Sequence, residues 1–185
     1  MTKKYILTGG PGSGKSSTLL ELEARGEFII REAAEDVIKR YQAHGVQRPW
    51  ELYDFQGKIL YLQIQREARI PENVDIAFID RGIPDGLAYA EVGTAIYKEI
   101  QQRTKPYDGI FLIENLGQTE TNEVRRESQV EALKLERKIY KVYKDLGYQV
   151  QIIPPASVKE RAHTILEYIK HDAMTQPETE TRRGT

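Results

Sequence analysis

The chain has 185 residues, a formal net charge of −1, three histidines and no cysteine, a length suited to one compact domain with a full core. Acids and bases are interleaved, and Lys3-Lys4 and Arg182-Arg183 are only short basic pairs, which disfavours a nucleic-acid partner. Disulfides and thiolate zinc sites are excluded, His44, His163 and His171 lack ligand spacing, and no apolar run reaches transmembrane length, so the expectation is a soluble protein of the reducing cytoplasm.

In chain order, Tyr5 to Thr8 is a short apolar run ending in glycines, the pattern of a buried strand. Ser16 to Arg25 reads as a helix closed by Gly26. Glu27 to Ile30 gives a second strand, and Arg31 to Ala43 a second helix that stops near Gly45. Pro49 is expected to open a third helix, with Leu52, Phe55, Ile59 and Leu62 as its apolar stripe and an end by Pro71.

Asp75 to Ile79 is the third strand, and Pro84 to about Lys98 is expected to be helical with a break at Gly93. Asp108 to Ile113 is the fourth strand, followed by a polar loop. Arg125 to Leu146 predicts a long helix with Leu135, Ile139, Val142 and Leu146 on its inner face. Tyr148 to Ile153 is the fifth strand, stopped by Pro154-Pro155; Ser157 and Glu160 then form a capping-box pattern before a helix to about Lys170. Strands alternating with helices predict an α/β fold of three layers, a doubly wound, mostly parallel five-stranded sheet. Residues 1–171 form one domain on this reading, with a small lid around 114–128 and a loose tail over 172–185.

The chemistry starts at "GGPGSGKSS". Gly9, Gly10, Pro11, Gly12, Ser13, Gly14, Lys15 and Ser16 match G-x-x-x-x-G-K-[ST] in full, and Ser17 extends the stretch. Glycines let backbone amides turn toward an anion, and the helix that follows adds the positive end of its dipole. Lys15 reaches the outer phosphates and Ser16 offers a magnesium ligand. Nucleotide binding with Mg2+ follows from motif and context together, with ATP and GTP both open.

Asp80, after "DIAFI", is the acid such a site needs at the end of a second buried strand. It can hold magnesium or take a proton from an attacking hydroxyl; alternatively it caps the next turn. Asp80-Arg81-Gly82 is not the D-x-x-G of regulatory GTPases, and no [NT]-K-x-D guanine signature follows the fourth strand. Arg81 is placed to clamp an acceptor. Asp85 either caps the next helix or binds acceptor hydroxyls. Glu32, after the second strand, either faces the same cleft or answers the dipole of the helix it starts.

Arg125 and Arg126 sit near a helix start, where positive charge is disfavoured. A phosphate closing onto them would explain that, as lid arginines do in phosphoryl transfer; Glu123 and Glu127 are the other partners available. Trp50 either stacks on a substrate ring or packs. Arg66 points to a ligand or snorkels outward. The Pro154 to Ser157 loop is placed to touch a nucleobase, although the capping box alone accounts for Ser157.

The stretches "YILTGGPGSGKSSTLLELEARGEFIIREAAEDVI", "FIDRGIPDGLAYA", "YDGIFLIE", "NEVRRES" and "LGYQVQIIPPASVKERAHTIL" resemble the AAA-type ATPase family of NadR-like and TRP-translocation-defect-like P-loop proteins. The resemblance covers nearly all but the tail. It implies a kinase-like P-loop NTPase fold with ATP or GTP and magnesium, with Lys15 and Ser16 as phosphate and metal residues and Asp80 as the Walker-B-like acid. Glu32, Arg81, Asp85 and Arg125 fall at family-patterned positions. The family holds relatives of nicotinamide riboside kinase and relatives described as nucleotide- and phospholipid-binding factors. A bifunctional NAD enzyme and a ring-forming motor are not expected, for want of an adenylyltransferase domain and of an appended helical lid domain.

Two functions stay in play. One is a magnesium-dependent phosphotransferase acting on a small molecule such as a nucleoside or pyridine riboside, with Lys15, Asp80, Arg125 and Arg126 as its catalytic residues and Glu32, Arg81 and Asp85 around the acceptor. The other is a regulatory NTPase without an acceptor, which recruits a protein or lipid partner. A polar, acceptor-sized pocket beside the outer phosphate separates them in favour of the first.

Overall fold

All five strands run parallel in the order β2-β3-β1-β4-β5, with β1 (Lys3–Thr8) at the centre between β3 (Ile76–Asp80) and β4 (Gly109–Ile113). The outer strands are β2 (Phe28–Ile30) and β5 (Val150–Ile153). This is a computed structural model, and it describes residues 1–115 and 129–175, with the backbone alone at 129 and 172–175. The helices are α1 (Lys15–Ala24), α2 (Ala33–Ala43), α3 (Phe55–Glu67), α4 (Ala95–Arg103), α5 (Gln129–Asp145) and α6 (Val158–Thr175).

Parallel strands covered on both faces carry apolar residues continuously, and alternate ones serve opposite layers. Tyr5, Leu7, Phe78, Phe111 and Ile113 face one layer, with Leu19 and Leu22 of α1 and Ala162 and Ile165 of α6. Ile6, Ile79 and Ile110 face the other, with Ile139 and Tyr143 of α5. A third cluster, Leu60, Ile83, Leu87 and Ile100, joins α3 and α4 to the segment after β3. The expected α/β, doubly wound architecture is what the chain adopts, with an entirely parallel sheet. The strand order reverses direction at β1, so the carboxyl ends of β1 and β3 open on a crevice suited to a ligand.

Several expected elements shift. Pro49 opens only a 3-10 turn, Pro49–Glu51, and α3 starts afresh at Phe55. Its buried stripe is Phe55, Leu60, Gln63 and Glu67, turned from the one read off the apolar residues because two members are polar and internally bonded. The segment after β3 is a 3-10 helix, Ile83–Ala88, separated from α4. On α5 the fully buried residues are Ala132, Ile139 and Tyr143, while Leu146 is 41% exposed. The capping box forms as expected: Ser157 N–H donates to Glu160 Oε2 at 2.9 Å and Glu160 N–H to Ser157 Oγ at 3.3 Å. The helix it starts continues to Thr175, beyond Lys170. Residues 116–128 of the expected lid and 176–185 of the expected tail lie outside the described residues.

Candidate active site

The loop from Gly9 to Gly14 leaves β1 and enters α1. Gly12 and Gly14 take φ values of 77° and 85°, in the left-handed region that favours glycine. Lys15 is buried and folds back over the loop: its Nζ donates to Gly10 O at 2.8 Å, Gly9 O at 3.1 Å and Ser13 Oγ at 3.4 Å. Burial lowers its ammonium to about 8, Arg81 pushes the same way, and Asp80, Glu32 and Asp85 pull against them.

Asp80 ends β3 in register with Leu7 and is 3% exposed. Ser16 Oγ donates to its Oδ2 at 3.0 Å, whereas Oδ1 is buried with no hydrogen-bond partner. Burial pushes the Asp80 carboxyl up to about 6; Glu32 adds to the rise, and Lys15, Arg81 and the Ser16 bond oppose it. Ser16 and Asp80 are thus joined by a hydrogen bond, and Lys15 lies near enough to feel the Asp80 charge. Among the described residues, no group of three or more His, Cys, Asp or Glu is arranged to hold a metal by itself.

Arg81 follows with a φ of 67°, the one positive value at a non-glycine among the described residues. Such a conformation costs about 1–2 kcal/mol and has to be held by its surroundings. The Arg81 N–H donates to Leu7 O at 3.0 Å, and its carbonyl accepts from Gln63 Nε2. Its Nε donates to Glu32 Oε1 at 2.9 Å, its Nη1 lies 3.4 Å from Asp85 Oδ1, and Tyr89 stacks on the guanidinium at 5.7 Å. Burial works against this charge, and Tyr89, Glu32, Asp85 and Asp80 more than offset it. Glu32 precedes α2 without a side-chain capping bond; its carboxylate turns to Arg81 instead of the helix end.

Asp85 resolves differently from Glu32. It is 2% exposed. Its Oδ1 accepts from Thr8 Oγ1 at 2.5 Å; its Oδ2 accepts from the Tyr143 hydroxyl at 2.5 Å and from Gly82 N–H at 2.9 Å. That is the capping geometry of the two readings, extended into a buried anchor. Burial, with Asp85 next, pushes the Tyr143 hydroxyl well above its ordinary range, so it stays a donor. Thr8, Gln63 and Tyr143 were not singled out from sequence. Arg66 points neither to the cleft nor to solvent alone: it bonds Arg31 O at 2.8 Å, Glu32 O at 3.1 Å and Asp36 Oδ2 at 2.5 Å, tying α3 to the start of α2. Arg125 and Arg126 lie outside the described residues.

Glu32 and Arg81 line a cavity of about 780 Å³ that is shared with the loop residues Pro11, Gly12 and Gly14 to Ser17. Trp50, Phe55, Gln56, Ile59 and Tyr89 are among its lining residues, apolar and aromatic groups alongside polar ones, as small-molecule sites have.

The loop, the strand-end acid and the parallel sheet define a P-loop NTPase of the kinase-like kind. A family model described as an AAA domain, AAA_28, matches residues 4–161, and the chain belongs to that family. Solved structures share the fold at low identity. NadR in complex with NAD and AMP-PNP superposes with a TM-score of 0.69 at 14% identity, covering 96% of this chain and 51% of NadR. Deoxyadenosine kinase from M. mycoides with dCMP and dCDP gives 0.64 at 14% identity, covering 91% of this chain and 99% of the kinase. Thymidylate kinase from Candida albicans gives 0.60 at 12%, covering 93% and 92%. No curated protein sequence matches the chain. Among the described residues, no helix is long and apolar enough to cross a membrane.

Proposed function

We propose that the protein is a magnesium-dependent phosphotransferase that moves the outer phosphoryl group of ATP or GTP to a hydroxyl of a small molecule, a nucleoside or pyridine riboside. The observation that carries this reading is Asp80. One oxygen is bonded to the loop's Ser16, the other is buried without a partner, and both sit where the phosphate loop meets the acceptor-sized cavity. NadR and deoxyadenosine kinase, whose fold the chain shares, lend the substrate class.

Magnesium suits the donor set. The Ser16 hydroxyl and Asp80 carboxylate are hard oxygen donors, and this ion takes few protein ligands alongside phosphates and water. Ser16 and Asp80 would hold it, and it would neutralise charge that develops on the transferred group. Lys15 grips the outer phosphates, and Arg125 and Arg126 close on the transferred one. Asp80 is ionised at neutral pH and serves as the metal anchor or accepts the acceptor's proton.

The acceptor side favours an unphosphorylated substrate. The carboxylates lining the cavity are Glu32, Glu35, Asp80, Asp85 and Glu131, against the cations Lys15, Arg31 and Arg81. Arg81 is already committed to Glu32 and Asp85. A second phosphate would meet net negative charge there, whereas a sugar hydroxyl or a cationic ring would not. Trp50, Phe55 and Tyr89 suit a planar heterocycle.

The test is nucleotide consumption with magnesium, ATP and GTP separately, against a panel of nucleosides, pyridine ribosides and their monophosphates. Turnover stimulated by an unphosphorylated acceptor and lost in Asp80→Asn supports the reading. Slow hydrolysis that no acceptor stimulates would replace it with the regulatory NTPase that recruits a protein or lipid.

A further inference from the structure

Among the buried charged side chains of the described residues, Glu67 pairs with Lys4 at 3.4 Å and Asp85 with Arg81 at 3.4 Å, while Lys15 and Asp80 feel each other's charge. Arg161, in the first turns of α6, is the exception. It is 2% exposed and has no carboxylate within ion-pair distance among the described residues. Its Nη1 donates to Ser13 O at 2.9 Å, and its Nε is buried with no hydrogen-bond partner. Burial alone acts on this guanidinium and disfavours its charge.

The place of that charge is informative. The guanidinium presses on Gly14 so closely that a Cβ there would lie 2.6 Å from Nη1 and 2.9 Å from Nη2. Every described peptide bond is trans, and in a trans peptide the C=O and the next N–H point opposite ways. Anchoring Ser13 O on Arg161 therefore aims the Gly14 N–H away from Arg161, toward the cleft that Gly14 lines. A cation on the carbonyl also polarises the peptide and strengthens that N–H as a donor.

We propose that Arg161 is a positioning residue for the nucleotide's phosphates: from behind the loop it orients and polarises the Ser13–Gly14 peptide, and phosphate in the cradle supplies a counter-charge that no described carboxylate gives it. The inference rests on the loop being the nucleotide site. It predicts a trade between stability and binding. Removing a buried unpaired ion relieves a desolvation cost larger than that of the Ser13 carbonyl left without a donor. The nucleotide, however, loses an oriented amide and a nearby positive charge.

Thermal unfolding and titration with MgATP, MgADP and adenosine, on wild type, Arg161→Met and Arg161→Lys, test this. Arg161→Met is expected to melt no lower than wild type without ligand and to bind MgATP and MgADP about tenfold more weakly, with adenosine unaffected. Arg161→Lys keeps a charged donor and is expected within about threefold of wild type. Affinity within about twofold of wild type in Arg161→Met would overturn the proposal. So would a lower ligand-free melting point in both variants with equal losses of affinity, which marks a packing strut. Failure of the wild type itself to bind these nucleotides or MgGTP and MgGDP, titrated alongside, would instead overturn the nucleotide reading, and the Arg161 role with it.

Discussion

The two ends of the crevice are built by opposite means. The end proposed for the phosphates is one contiguous stretch, Gly9 to Ser17, which would work through backbone amides and one lysine. The end proposed for the acceptor draws Glu32, Gln63, and Arg81 with Asp85 from three separated segments, and a side chain takes part in each of its bonds. A phosphate is the same in every nucleotide, so amides at a fixed turn recognise it. An acceptor differs from enzyme to enzyme, and side chains on a common frame can vary without disturbing the turn. Asp80 is where the ends touch, bonded to Ser16 of one and adjoining Arg81 of the other.

Breaking that junction has the largest expected effect. Asp80→Asn keeps the shape and removes the charge, and turnover should fall about 10³-fold, read as initial rates at saturating nucleotide. The same variant should be more stable without ligand at neutral pH. A carboxyl raised from 3.8 to about 6 by burial contributes stability in full below pH 3.8 and loses it as pH rises through about 6. Up to roughly 3 kcal/mol is recovered at pH 7 when the charge is absent, measured by denaturant unfolding at pH 5 and pH 7.5. The stability difference between variant and wild type should be smaller at pH 5. In wild type, kcat/KM, which reports the free enzyme, should fall as pH drops through about 6, since the proposed role uses the ionised carboxylate.

Separating the ends comes next. Lys15→Met should weaken MgATP binding about 10²-fold and leave binding of the acceptor alone unchanged, by calorimetric titration. Arg81→Lys should do the reverse. A lysine cannot bridge Glu32 and Asp85 in a planar fork, so acceptor KM should rise about tenfold while nucleotide KM holds. If both substrates weaken together in either variant, the two ends are one cooperative unit and the comparison fails.

The same contrast decides what could be read from the sequence. The loop is local, and its glycines, lysine and serine stand in fixed spacing; Asp80 could be placed because a buried strand ends on it. Glu32 and Arg81 could be named, but their ion pair joins residues far apart in the chain. Gln63, Glu67, Tyr143 and Arg161 went unnoticed for a shared physical reason: each is a polar residue on a buried helix stripe, and hydropathy assigns such residues to solvent. Arg161 left a trace, since Val158, Ala162, Ile165 and Ile169 continue its own stripe at helical spacing. Tyr143 falls four residues after Ile139. A charged or hydroxylated residue in step with an apolar stripe is thus the readable sign of an internal bond, although the partner is not readable.

The smallest expected effect tests whether the acceptor end has a rigid floor. Asp85 receives Thr8, Tyr143 and Gly82 together, and Arg81 leans on what those bonds hold. Tyr143→Phe removes one donor and leaves the ring's packing in place, so Asp85 keeps Thr8, Gly82 and the longer contact to Arg81. The cost should be about 1–3 kcal/mol by denaturant unfolding, with acceptor KM changed less than by Arg81→Lys and nucleotide KM not at all. A loss of acceptor binding as large as that of Arg81→Lys would mean that the floor, and not the arginine, sets the acceptor's position. The side-chain end would then depend on its buried hydrogen bonds as strictly as the cradle depends on its turn.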